Sequence, residues 1–479
     1  MLTHRLRHVP HRHAPTLAAG LALVATLAAF LVLLLAVGPA GAAGQRVWVR
    51  HYAWADGIDQ WTSLAKGPSN TVYAAGTRNF EWPTERAIVA RYTTSGTRLW
   101  LRTFGGKAGD AVAAGIAVDA KGNAFVTGSE RYGAPAEWHI WVMKLRAKDG
   151  RRLWLKRYDG PPPTGDDTAD SVATGPSGAI YVSGQVSTTT SGYNAILFKY
   201  ADKGRRAALK WKRTYSNTSA AAPHNADDGR RVVVDGAGRV YWGGSTQRSD
   251  AHYATFVRRV SAATGRTVWT SLRVGGSGND LWLTDLVAFP KGGCVAACQR
   301  SDTAATGRGI LVRRYAATGG GRANVLLDSA GDEVVNDLAV DGAGNIAVAG
   351  QYVGAGDGIA TAWVVRGNSR FKSRWQRTLA SPQAGEPAEF AAVAIGGAGA
   401  VYCGGHSNTG FITGDDFLVA KYSSAGVSRW HDVYDDRDAN RADSCKALIY
   451  VGGSKPALYG AGVGGATTWG EALLIKYKR

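Results

Sequence analysis

The chain has 479 residues, 45% of them hydrophobic, and a formal net charge of +19 at pH 7. A length of this order ordinarily divides into several domains, but a repeat array can reach it as one unit. With 63 glycines, 16 tryptophans and 2 methionines, and no sustained helical periodicity, the sequence excludes an α-solenoid and favours many short strands.

Residues 1–43 stand apart from the rest. Arg5, Arg7 and Arg12 precede an apolar run over residues 16–37, and Gly38, Pro39 and Ala40 open a small-residue segment. This pattern reads as a secretory signal peptide. The apolar run is long for one, so an uncleaved N-terminal membrane anchor is the alternative. No cysteine lies near the junction and no twin-arginine pair precedes it, which argues against a lipoprotein and against twin-arginine export. The expected location is secreted or in the extracytoplasmic cell envelope, with membrane contact only through an uncleaved segment. Basic residues are scattered along the chain without forming a block. They suit a soluble surface, or loose attraction to anionic envelope polymers. Export argues against nucleic acid as a partner.

From residue 44 onward the sequence repeats at about 55 residues, a period that signals a repeat architecture. A basic residue behind an apolar run marks each copy: Arg91, Lys144, Lys199, Arg259, Arg314, Arg366, Lys421 and Lys476. The second copy shows the unit most clearly. Residues 112–118 form a strand, Asp119 to Asn123 a tight turn, and residues 124–127 a returning strand that ends at Gly128. A loop then leads to a third strand over residues 138–145, and Lys148-Asp149-Gly150 turns into a fourth around Trp154. Four antiparallel strands in one repeat make a propeller blade. Trp100, Trp154, Trp211, Trp269, Trp375 and Trp430 recur on the fourth strand and read as packing between blades. The eighth copy ends at Arg479, after its third strand, while residues 46–52 supply a matching fourth strand at the other end of the chain. The expectation is an all-β fold: residues 44–479 form a single, monomeric eight-bladed β-propeller of four-stranded antiparallel blades. The N-terminal strand completes the last blade and removes the exposed edge.

Of the four cysteines, Cys294 and Cys298 fall on one strand, roughly 13 Å apart if extended. Cys403 and Cys445 lie in neighbouring repeats, where export would let them pair. No CxxC or zinc-type spacing occurs.

Gly105 to Gly128 and Gly331 to Gly350 resemble the SBBP-type bacterial β-propeller repeat. That resemblance implies an exported propeller and brings no catalytic residues. The outer turns, such as residues 262–269 and 149–154, are similar to the tryptophan-docking repeats of eight-bladed quinoproteins. The adjacent cysteine pair that some of those enzymes use, and their extra length, are missing here.

Two sets of residues are candidates for a site on the face where the innermost strand starts. A carboxylate lies near that start in each repeat: Asp59, Asp110, Asp170, Asp228, Asp280, Asp332, Glu389 and Asp443. Around an axis they could hold Ca²⁺ or a cationic group at the channel mouth; alternatively each caps its own loop. No other cofactor is expected. The loops between second and third strands carry Phe80, Trp82, Tyr132, Tyr193, Tyr253, Tyr352, Phe411 and Trp469, suited to sugar rings or peptide, or else folded back as packing. The histidines occupy different places in their repeats and show no metal or catalytic spacing. The reading that follows is a non-catalytic module binding an envelope protein or polysaccharide. The alternative is an enzyme, either a quinone-dependent oxidoreductase or a polysaccharide lyase or hydrolase, and a ligand-free scaffold is a third reading.

Overall fold

The computed structural model describes residues 45–54, 57–79, 85–105, 109–131, 137–160, 165–188, 192–217, 225–276, 278–301, 307–327, 331–354, 356, 358–372, 374–408, 414–435, 442–465 and 470–478. The expected signal peptide or anchor lies outside these residues. Eight sheets each carry four antiparallel strands, consecutive in the chain with one exception, and Asn225–Ala226 adds a short parallel fifth strand to blade three beside Gly192 and Tyr193. The exception is the last blade, where Arg46–Tyr52 pairs antiparallel with Glu471–Tyr477, in register from Val49–Ile475 to Tyr52–Ala472. The chain termini thus close the ring as the repeat count requires.

The innermost strands are Gln60–Lys66, Ala111–Val118, Thr168–Gly175, Arg231–Val234, Leu281–Ala288, Asp332–Val340, Ala388–Ile395 and Ser444–Val451, and each packs on the next, the last returning to the first. Eight apolar clusters fill the interfaces, each built from two adjacent blades.

The periodic basic residues and tryptophans turn out to be one device. Within a blade they face each other across the third and fourth strands, as Arg91–Trp100, Lys144–Trp154, Lys199–Trp211 and Lys476–Trp48. Both side chains then reach the same residue in the outer turn of the next blade. Arg91 Nη1 and Trp100 Nε1 both donate to the Ala147 carbonyl, at 2.7 and 2.9 Å. Arg259 and Trp269 converge on the Ala317 carbonyl in the same way, and Arg366 and Trp375 on that of Ser424. Across the closure, Trp48 and Lys476 share Thr94. The indole lies on the turn glycine, so that a Cβ at Gly150 would sit 2.6 Å from Trp100. The Arg91 guanidinium also lies over the Tyr73 ring of the second strand, 5.3 Å from its centroid, a cation–π contact.

A second period concerns the innermost strand. Its pairing slips by one residue at the same place in the blades, for example between Trp61 and Ser63 and between Ala113 and Gly115. The bulge brings the carbonyl two residues ahead of it into the second strand, and glycine opposite gives way. A Cβ at Gly128 would lie 1.9 Å from the Val112 carbonyl, and one at Gly350 1.8 Å from that of Val334. This steric demand explains why the repeat carries glycine there; blade five alone has Cys298 opposite Leu283.

Two expectations change. The second strand of blade two runs on to Arg131, because Ser129, Glu130 and Arg131 pair with Ile140, His139 and Trp138. Cys403 and Cys445 do not pair: all four cysteines are free and buried. Cys403 packs into the interface with blade six and Cys445 into that with blade seven, and burial raises both thiol pKa values.

Candidate binding face and channel rim

Measured from the bulge, the eight sequence-selected carboxylates occupy different levels. Asp59 and Asp443 stand three residues ahead of it, the level also taken by Asp167, Asp227 and Glu333; all five are buried. Asp59, Asp167 and Asp227 cap the top of their own blade. Asn79 N–H donates to Asp59 Oδ1 (3.0 Å), Ser187 N–H to Asp167 Oδ1 (2.8 Å), and the Thr246 hydroxyl to Asp227. One residue earlier lie Asp110, Asp280 and Asp332, together with Asp166. Asp166, Asp280 and Asp332 reach the preceding blade, accepting from the amide that opens its third strand or the amide just before: Trp138 N–H to Asp166 (3.1 Å), Tyr253 N–H to Asp280 (2.7 Å) and Arg308 N–H to Asp332 (2.7 Å). Asp110 meets Arg131 at 3.4 Å.

Asp228 and Glu389 stand two residues ahead of the bulge and Asp170 lower still, toward the central channel, while Asp228 Oδ1 also caps its own blade by accepting from Ser245 N–H at 2.6 Å. Asp170 is itself the bulged residue of blade three, and the corresponding residues include Thr62, Arg230 and Asn336. Side chains here reach toward the next blade. Thr62 donates to the Ala113 carbonyl (3.3 Å), Arg230 to that of Thr284 (3.3 Å), and Asn336 to Glu389 Oε1 (2.9 Å). The residue after the bulge adds a second tier. Arg231 Nε pairs with Asp285 Oδ1 at 2.7 Å, and Asp337 Oδ2 accepts from Val393 N–H at 2.7 Å. Blades three to six therefore line these two levels with Asp170, Arg230, Arg231, Asp285 and Asp337. At the same two levels blades eight, one and two offer Lys446, Ala447, Thr62, Ser63, Ala114 and Gly115.

Electrostatics sharpen this asymmetry. Burial, reinforced by Asp228, pushes the Asp170 carboxyl up to about 7. Burial also raises Asp228. Asp337 is raised by burial and by Asp285, against the pull of Arg231. Carboxylates displaced together in this way are candidates for a functional site.

Of the sequence-selected aromatics, Phe80, Trp82, Tyr132, Phe411 and Trp469 lie outside the described residues. Tyr193 is half-buried and its carbonyl accepts from Asp227 N–H at 2.9 Å. Tyr352 packs against the interface of blades five and six. Tyr253 meets Trp282 with ring centroids 5.8 Å apart, and Asp228 is among the charges acting on its hydroxyl. Sequence reasoning missed Trp282. Its signal was its phase: it stands on an innermost strand, out of step with the outer tryptophans. Four of the described histidines pair with carboxylates near the blade tops: His51 with Glu471 (3.1 Å), His139 with Asp159 (3.2 Å), His252 with Asp280 (3.2 Å) and His406 with Asp415 (3.7 Å).

No family model matches the chain, and no curated protein matches it. Solved structures do. Sqt1 from Chaetomium thermophilum is 10% identical with a TM-score of 0.48, over 89% of this chain and 100% of its own. The WD40 domain of SCAP from fission yeast is 9% identical with a TM-score of 0.45, over 91% and 98%. A catalytically inactive virginiamycin B lyase from Staphylococcus aureus, with quinupristin, is 8% identical with a TM-score of 0.40, over 89% and 98%. Such distant likeness transfers no activity to this chain.

Proposed function

We propose that the chain is an exported, monomeric binding propeller that takes a cell-envelope polysaccharide, without catalysis, at the channel rim of blades three to five. One observation carries the reading: Tyr253 and Trp282 set their rings 5.8 Å apart in the field of Asp280, which accepts from Tyr253 N–H at 2.7 Å, and of Asp228, whose charge also acts on Asp170. Aromatic faces take the apolar side of a sugar ring, while carboxylates and Arg230 bind its hydroxyls in a few fixed directions. An envelope protein presenting an extended segment is the other partner this rim suits. The location rests on residues 1–43 and on the SBBP-type resemblance. Calorimetric titration with envelope glycan fragments tests the proposal. Trp282→Ala and Asp228→Asn should each weaken binding at least about tenfold, equivalent to a lost contact of about 1.4 kcal/mol. Unchanged affinity in both variants would rule out this rim as the site.

A second reading has its own support. Asp170, protonated near neutral pH beside Asp228, has the properties of the acid in a hydrolase or lyase pair. Release of reducing ends or unsaturated uronate by the parent protein, abolished in Asp170→Asn, would establish it. The same pair is the best-placed seat for Ca²⁺ among the eight acids, and a Ca²⁺-dependent rise in melting temperature, abolished in Asp170→Asn, tests that. A quinone-dependent oxidoreductase would require that rise to depend on pyrroloquinoline quinone as well.

A further inference from the structure

We propose that His139, Asp159 and Asp167 form a divalent transition-metal site between blades two and three, separate from the channel rim. Each contributes one ligand atom, and the three atoms all lie within 4.8 Å of one another. His139 Nδ1 and Asp159 Oδ1 are 3.2 Å apart, close to the edge of about 3.5 Å expected between ligands held 2.0–2.2 Å from a tetrahedral zinc.

The three residues come from distant parts of the sequence, but the fold fixes each of them. His139 is the second residue of Trp138–Leu145, and Asp159 directly follows Arg152–Tyr158. Ile140 pairs with Tyr158, so the ladder sets Asp159 opposite His139. Asp167 opens blade three, and its N–H donates to the Trp138 carbonyl at 2.6 Å. Its carboxylate is already aimed: Ser187 N–H donates to Oδ1 at 2.8 Å and Gly160 N–H to Oδ2 at 2.5 Å. A carboxylate oxygen holding one amide keeps a lone pair for a metal, and such outer partners fix ligand orientation.

The donor set decides the class of ion. One imidazole nitrogen with two carboxylate oxygens suits Zn²⁺ and its first-row neighbours, whereas Ca²⁺ and Mg²⁺ prefer oxygen alone. His139 and Asp167 are buried, while the Asp159 side chain is 66% exposed. The site is thus walled on the protein side and open to water on the other, leaving room for a solvent ligand. Two acids here also face one another at close range, and an ion between them relieves that repulsion. His252 with Asp280 provides an internal comparison. It has the same 3.2 Å spacing, but among the described residues no third ligand joins it.

The test uses the purified chain stripped with EDTA. Cobalt(II) is titrated and its visible ligand-field bands recorded, and zinc(II) is titrated in competition with a chromogenic chelator. One equivalent of either metal should bind and raise the melting temperature, because the ion ties the end of blade two to the start of blade three. His139→Gln and Asp159→Asn should each weaken zinc binding by at least about tenfold, and His252→Gln should leave it unchanged. Asp159 is exposed, so its variant folds and gives a clean reading. Absence of saturable binding in the parent, or parental affinity in Asp159→Asn, overturns the site.

Discussion

Gly150→Ala tests the docking of tryptophan on the neighbouring blade. Gly150 adopts φ +67°, and an added Cβ would lie 2.6 Å from Trp100 Cε3. Trp100 cannot swing aside freely, since it is 5% exposed and its Nε1 donates to the Ala147 carbonyl at 2.9 Å. Two costs therefore combine. The left-handed backbone costs an alanine about 1–2 kcal/mol, and overpacking against a fixed ring adds about 1–3 kcal/mol. Gly204 separates them. It occupies the matching turn of blade three at φ +77°, with nothing within 4 Å of its Cβ position. There the indole of Trp154 docks on the Asp202 side chain, leaving the turn glycine open. Gly204→Ala should thus bear the backbone cost alone. Thermal or urea unfolding of both variants should show Gly150→Ala the less stable by about 1–3 kcal/mol. Equal losses would falsify the docking argument and leave backbone strain as the whole effect.

Three further outcomes are expected, two at the closing strand and one at a buried cap. Trp48 is half-buried in the closing strand, with its Nε1 on Thr94 at 3.3 Å. Trp48→Ala should therefore cost about 2 kcal/mol, below the 3–5 kcal/mol of a fully buried large aromatic. Deleting residues 44–54 should lower the melting temperature of the whole ring, and an unchanged melt would sink the closure model. Asp59 is 0% exposed, and burial pushes its carboxyl up to about 6. The folded state then holds this proton more tightly than the unfolded chain. Its contribution is fully present below about pH 4 and is lost as pH rises through about 6, a change of about 3 kcal/mol. Melting temperatures from pH 4 to 8 should fall less steeply in Asp59→Asn than in the parent; parallel profiles would contradict this.

The eight-bladed ring was legible in the sequence because its causes are local and repeated. Asp119 illustrates this. Its Oδ1 accepts from Lys121 and Asn123 N–H at 2.9 and 2.8 Å, a turn that five consecutive residues encode by themselves. The basic–tryptophan rows were legible for a similar reason, since pairing across two adjacent strands places them at a fixed spacing. What they contact was not, because the acceptor belongs to the next blade.

The site follows the opposite logic. Asp59, Asp110 and Asp170 look alike in sequence, each near the start of an innermost strand. Their distance ahead of the bulge differs and with it the partner: Asp59 caps the top of its own blade, Asp110 meets Arg131, and Asp170, at the bulge itself, faces the channel. Side chains on a strand alternate in direction, and the bulge shifts that alternation. Trp282 beside Tyr253, Arg231 on Asp285, and His139 with Asp159 and Asp167 all join residues from different strands or blades. The period of the sequence determines how many blades there are and how each is built. Only the closed ring, by setting blade against blade, decides which polar groups meet.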